Sequence, residues 1–178
     1  MTERETLELP RHVGEPSRVY QDPFTAIDRY EAQFSSFTKV YYVSRKGIRA
    51  AVLPIHEGKV LLGRQYRFLL NAVSLEVIGG KVETGEDPAA AASRECLEET
   101  GYECEGLEHL LTYQPGLDAY DNPTHVYLSR QVRRRADVDP SCSRWVPWPE
   151  IPEMLRSGEL CDSLSLIALS TFLLRRPL

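Results

Sequence analysis

No run of apolar residues in this chain approaches the length of a membrane span, positive charge is not in excess, and no Cys-x-x-Cys pair occurs. Each absence excludes something. A membrane-crossing helix needs about 20 consecutive apolar residues, so none is expected. The formal net charge of −5 gives no general attraction to nucleic acid or to anionic membranes, and neither is expected as a partner. The four cysteines, Cys96, Cys104, Cys142 and Cys161, have no histidine at zinc-finger spacing and read as reduced, mostly structural thiols. The opening stretch MTERETLELPRHVGEP has no apolar centre of signal-peptide type, which makes the cytoplasm the expected location. Neither an internal repeat nor a low-complexity segment interrupts the chain. Its 178 residues, with 42% hydrophobic and 26% charged, suit one globular domain with a sizeable core.

What is present centres on Gly80 to Tyr102, GKVETGEDPAAAASRECLEETGY. Its second half carries the signals of a helix. Asp87 can cap the start through its side chain, Pro88 suits the first helical position, and Gly101 can take the left-handed stop. At about 100° per residue, Glu95, Glu98 and Glu99 share one arc, while Ala89, Ala90, Ser93, Cys96 and Leu97 lie opposite and can pack on a core. Like charges at these spacings repel, so a positive partner is expected. Arg94 supplies one local counter-charge. A hard divalent cation with oxygen preference, Mg²⁺ or Mn²⁺, suits carboxylates so spaced, above all when substrate phosphates complete its shell. The competing reading of Glu98-Glu99 alone is a solvated acidic face; the full spacing weighs against it.

That spacing resembles the box of the Nudix hydrolase family: glycine, five residues, glutamate, seven residues, Arg-Glu, an aliphatic, any residue, Glu-Glu, any residue, glycine, an aliphatic. Here it is carried by Gly80, Glu86, Arg94, Glu95, Cys96, Glu98, Glu99, Gly101 and Tyr102. Cys96 and Tyr102 stand at packing positions that are usually aliphatic. The resemblance implies metal ligation by Glu95, Glu98 and Glu99 and by the backbone carbonyl of Gly79, the residue before the box glycine. Glu86 reads as structural support that bonds to the loop or to Arg94.

Along the chain, residues 1–16 read as an arm, and Ser17–Asp22 as a short strand. Strands are predicted over 36–44, 48–55 and 59–64, the last two joined by a turn at His56-Glu57-Gly58. Another spans 74–78 and runs straight into Gly79-Gly80. Further strands are expected over 107–113, 124–132 and 143–146, and helices over 149–157 and 162–174. Strands cluster, the box helix interrupts them, and the other helices come late. This order predicts an α+β fold, a mixed sheet with helices on its faces in one domain, and by resemblance the Nudix α/β/α sandwich. Residues 1–35 would form the N-terminal arm and dimerisation strands, and 36–178 the hydrolase domain. Tyr20, Phe24, Tyr30 and Phe34 put more apolar surface in the first segment than a free arm should show. A homodimer is therefore expected, in keeping with the N-terminal pairing of similar enzymes.

Two flanking stretches narrow the resemblance. Gln65-Tyr66-Arg67 with Glu76 before the box, and Pro115-Gly116 after it, recur in the ADP-ribose pyrophosphatase branch. The similarity runs over roughly residues 36–174. It implies that Arg67 meets a diphosphate, where a guanidinium fork suits phosphate oxygens, and that Glu76 lines the nucleoside or ribose side. Gly80, Pro115, Gly116, Asp118 and Asp121 complete the expected substrate site. The implied reaction is metal-dependent hydrolysis of a nucleoside diphosphate compound, with ADP-ribose or another ADP-sugar first. A GDP- or UDP-sugar, a dinucleoside polyphosphate, or a silent nucleotide-binding module are the alternatives. The box opens as Ile78-Gly79-Gly80 where this branch more often has Pro-Ala-Gly, and the loop after Gly116 holds no glutamate. The general base is open among Asp118, Asp121, Glu98 and Glu150.

Overall fold

The computed structural model describes residues 8–175; the first seven residues of the expected arm lie outside them. From the N-terminus come β1 (His12–Val13), β2 (Ser17–Gln21), β3 (Ala26–Gln33) and β4 (Thr38–Arg45). Then follow β5 (Arg49–His56), β6 (Lys59–Arg67), β7 (Ala72–Glu76), β8 (Ile78–Lys81) and helix α1 (Pro88–Thr100). Next are β9 (Tyr102–Glu105), β10 (Glu108–Tyr113), β11 (Tyr120–Asp121), β12 (Thr124–Ser129), β13 (Gln131–Arg134) and β14 (Ser143–Pro147). Helices α2 (Ile151–Ser157) and α3 (Ser163–Arg175) follow.

The described residues divide into two compact units, one of 8–47 with 114–122 and one of 48–113 with 123–175. In the first, the sheet runs β1-β3-β4-β11, with β2 also on β3. Three of its strands meet at one acid. Asp28 on β3 is buried, and a lone buried carboxylate would be costly; Arg18 from β2 and Arg45 from β4 both bond to it. Arg45 also reaches Asp121 and Tyr30, and β11 pairs with β4 in parallel. β4 and the 114–122 loop, both expected in the hydrolase domain, thus cluster with the N-terminal strands.

In the second unit the sheet runs β10-β12-β5-β6-β14, with β8 on β5 and β7 on β6. The β5–β12 pair is parallel and the others antiparallel. Strand β5 reads Ala50-Ala51-Val52-Leu53 without polar alternation because both of its faces are covered. Ala50 and Val52 pack with Ala91, Ala92 and Cys96 of α1. Ala51 and Leu53 pack with Met154 of α2 and with Ala168, Leu169 and Phe172 of α3. The result is the mixed sheet with helices on its faces that the order of elements predicts.

Two strands differ from expectation. The single strand predicted into Gly79-Gly80 is two, for the chain passes from β6 to β5 at Val77, whose amide is bonded by the Ser165 hydroxyl of α3 at 2.8 Å. The strand predicted over 124–132 breaks at Arg130, after which β13 leaves the sheet and pairs with β9. Periodicity could not expose either break, since β-rich sequence continues through both. Strands β1, β3, β9 and β11 are not among those expected from the sequence.

Candidate active site

Helix α1 begins and ends as its sequence dictates. The Asp87 carboxylate accepts from the amides of Ala89 and Ala90 at 2.9 and 3.1 Å. Gly101, at φ 76°, closes the helix through its amide on the Leu97 carbonyl. The packing face is displaced from the one predicted: Ala91, Ala92, Cys96 and Thr100 are buried, whereas Ala90 is exposed. The buried stripe therefore lies beside Glu95 and Glu99 rather than opposite them. These two carboxylates face inward, and Glu98 stays outside, its side chain 59% exposed and bonded to Arg94.

Each inward acid sits beside a glycine. A Cβ on Gly80 would fall inside the Glu95 carboxylate, so only glycine leaves room for that side chain. At Gly63 on β6 a Cβ would stand 3.8 Å from Glu99 Oε2. The other oxygen, Oε1, accepts a 2.7 Å hydrogen bond from the Gln65 amide. Burial pushes the Glu99 carboxyl above its ordinary value, the Gln65 bond pulls the other way, and the nearby Glu95 charge raises it again.

Arg94 joins the box loop to the helix. It bonds Glu86 through Nε and Nη2 at 2.8 and 3.0 Å, Glu95 at 2.9 Å and the Lys81 carbonyl at 3.1 Å. This clasp accounts for the glutamate and the arginine of the box as parts that hold the loop. Arg94 holds Glu86 down to about 2, from an ordinary value of 4.5. Stability drawn from this pair is thus fully present above 4.5 and is lost as pH falls toward 2. Thermal melts of the wild type and Glu86→Gln should differ at pH 7 and converge near pH 2; a gap unchanged across that range would refute the clasp.

On the neighbouring strands, Arg67 closes on Glu76 with its Nε within 2.8 and 3.0 Å of the two oxygens and its Nη2 on Oε2. Burial is the largest influence on the Glu76 carboxyl and would raise it; the contacts of Arg67 and Ser74, with the charges of Arg67 and Arg49, together outweigh it and hold the acid below its ordinary value. The fork expected to meet phosphates is therefore already shared with Glu76. A residue that the sequence did not single out is Arg49, whose Nη2 donates to the Gly79 carbonyl at 3.3 Å and whose charge acts on Glu76, Glu99 and Tyr113. Gln65, quoted only as part of a motif, is the other. No local signal marks either one, because their partners lie 30 and 34 residues away.

Among the described residues no three His, Cys, Asp or Glu side chains converge as a ready metal cluster. The inward donors still fit a hard divalent cation: two carboxylates, the buried one carrying only a neutral amide, with the Gly79 carbonyl next to Gly80. Such a set leaves coordination positions for water and phosphate, which Mg²⁺ favours. The open choice of general base meets a common circumstance, since each candidate has a cationic neighbour. Glu98 bonds Arg94, Glu150 bonds Arg144, Asp121 bonds Arg45, and Asp118 lies 3.9 Å from Lys39. Pro115, Gly116, Asp118 and Asp121 belong to the N-terminal unit, whereas Arg67, Glu76, Gly79, Gly80 and the box acids belong to the other. Gly116 is packed under Tyr120, where a Cβ would meet Cδ2 at 2.5 Å.

A profile of the NUDIX domain matches residues 45–160. The chain belongs to the Nudix family. A CMP-5'-(N-acetyl-N-hydroxy-3-aminopropyl)phosphonate hydrolase of Streptomyces rubellomurinus is 32% identical to it over 166 residues, covering 89% of this chain and 81% of that protein. An ADP-ribose pyrophosphatase of Bacillus subtilis is 31% identical over 102 residues, 54% of this chain and 55% of the relative. The crystal structure of an ADP compounds hydrolase, at 17% identity, superposes with a TM-score of 0.82 over 95% of each chain, which establishes the Nudix fold. The likeness to that ADP-ribose pyrophosphatase agrees with the branch that the flanking stretches resemble. The Nudix box thus accounts for Gly80, Glu86, Arg94, Glu95, Glu98 and Glu99 together. No helix among the described residues is long and apolar enough to cross a membrane.

Proposed function

We propose that this Nudix pyrophosphohydrolase cleaves the diphosphate of an ADP-sugar, ADP-ribose first, into AMP and a sugar phosphate, with Mg²⁺ or Mn²⁺ as its cation. The observation that carries the proposal is the pair of inward carboxylates, Glu95 beside Gly80, which follows the Gly79 carbonyl on β8, and Glu99 beside Gly63 on β6. Those two acids and that carbonyl would hold the cation; Glu98, at the rim, would add charge. When bound, such a cation activates a water and offsets charge on phosphate oxygens. The chain's own residues do the rest. Arg67 and Arg49 bring two guanidinium groups to the same strands, suited to bind and orient a diphosphate. Arg94 and Glu86 keep the box loop against α1, so the Glu95 carboxylate stays in place.

The test is hydrolysis of a panel of nucleoside diphosphate compounds with each metal, with the released products identified. GDP- and UDP-sugars and a dinucleoside polyphosphate belong in it. So does a CMP-linked phosphonate, because one relative is a hydrolase of such a compound. ADP-ribose should rank first; a ranking no better than nucleoside triphosphates would remove the substrate reading and leave the family intact. Arg67→Lys should raise KM for the favoured substrate by about 10-fold, a loss of about 1.4 kcal/mol, since one ammonium cannot both answer Glu76 and grip phosphates. Unchanged KM would refute that role.

Assembly is part of the proposal. On β2 every residue is exposed, Tyr20 is 50% and Phe24 88% exposed, and apolar surface of this kind marks a contact site. The N-terminal segment pairs with that of a second copy. Light scattering at micromolar concentration should return a dimer mass, and a monomer would count against the pairing. The cytoplasm remains the proposed location.

A further inference from the structure

Strand β6 treats the site's acids at every second residue. Leu61 packs in the core beneath α1. Gly63 leaves space near Glu99 Oε2, Gln65 Nε2 donates to Glu99 Oε1 at 2.7 Å, and Arg67 takes Glu76. Resting on the reading of Glu99 as a cation ligand, we infer that Gln65 is a positioning residue, whose amide fixes the Glu99 carboxylate by one oxygen and leaves Oε2, beside Gly63, for the cation.

The last torsion of a glutamate is broad, with no sharp staggered wells. Helix α1 alone therefore fixes where the Glu99 carboxylate is but not how its plane is turned. One donor on one oxygen selects the plane. The kind of donor matters as well. Arg67 at Glu76 offsets a carboxylate's charge, whereas a neutral amide orients Glu99 and leaves its full charge available. A lysine at the Gln65 position would still donate, yet it would bring a fixed positive charge within a few ångströms of the cation's place and compete with it. Partners that orient a metal ligand typically influence affinity by about 10- to 100-fold.

The experiment is Mn²⁺ binding to the full chain in the absence of substrate, read from the electron paramagnetic resonance signal of the free ion. Wild type, Gln65→Met, Gln65→Lys and Glu99→Gln are compared, with metal-free melting temperatures beside them. Gln65→Met, close to isosteric, should weaken Mn²⁺ by about 10-fold with its metal-free melting temperature kept, and Gln65→Lys should weaken it at least as much. Wild-type affinity in Gln65→Met alongside a loss in Glu99→Gln would overturn the role of Gln65 and leave the cation reading standing. Wild-type affinity in Glu99→Gln would overturn both. Should Gln65→Met fail to fold, Gln65→Lys decides: retained affinity there overturns the inference.

Discussion

Glu99→Gln should lower turnover by about 10³-fold or more while the protein keeps its fold. A bound cation stabilises developing charge by several kcal/mol, and about 4 kcal/mol already corresponds to a factor near 10³. An amide is isosteric with the carboxylate but cannot balance a divalent charge, so the loss falls on the chemistry. Burial disfavours the charged form of this acid, and neutralising it should not harm the core. Melting temperature should hold or rise, and kcat should collapse with either metal. A folded Glu99→Gln enzyme with near-normal Mg²⁺-dependent turnover would end the assignment. Glu98→Gln offers the contrast: its side chain is 59% exposed and bonds only Arg94 among the contacts resolved, so its effect should be the smaller.

The second large effect separates two adjacent glycines. On β8, a Cβ at Gly79 would come within 2.5 Å of the Ala50 carbonyl and 2.6 Å of the Ala51 Cβ. Both neighbours belong to the central strand and cannot withdraw. Overpacking of this kind costs about 3 kcal/mol or more, and for a chain of this size that lowers the melting temperature by about 6–12 °C. At Gly80 the three atoms nearest the added carbon all belong to the Glu95 carboxylate, the far end of a side chain that can swing away. Gly80→Ala should therefore leave stability within about 1 kcal/mol and reduce turnover sharply, by displacing an acid of the site. Calorimetry and kcat on both variants check the split. Equal losses of stability in the two would show that Glu95 is not what Gly80 accommodates.

What the sequence reveals and conceals follows from the range of each interaction. The box helix is legible to its caps because Asp87, Pro88 and Gly101 act within four residues of themselves. Its buried face was misplaced, since periodicity alone sets polar residues outward while this helix turns Glu95 and Glu99 in beside Ala91, Ala92 and Cys96. Arg67 with Glu76 was legible as a recurring pair of positions, though not as partners of each other. Gln65 with Glu99 and Arg49 with Gly79 depend on which strands lie side by side, and no local pattern states that. Likewise Asp121 and Asp118 could be named as acids of one loop, but their ties to Arg45 and Lys39 needed β4 and β11 in register.

Strand β6 carries one further consequence. Leu61, Gly63, Gln65 and Arg67 share one face, while Val60 and Leu62 fill the core on the other. A strand alternates at every residue, so slipping its register by one exchanges the two sets completely. Deleting a single residue between the β5–β6 turn and Gly63 would bring Arg64 and Tyr66 to the places of Gly63 and Gln65 beside Glu99, and turn Gln65 and Arg67 to the opposite face. Substitution can be graded along this strand, but insertion and deletion cannot: length here is as strictly specified as residue type.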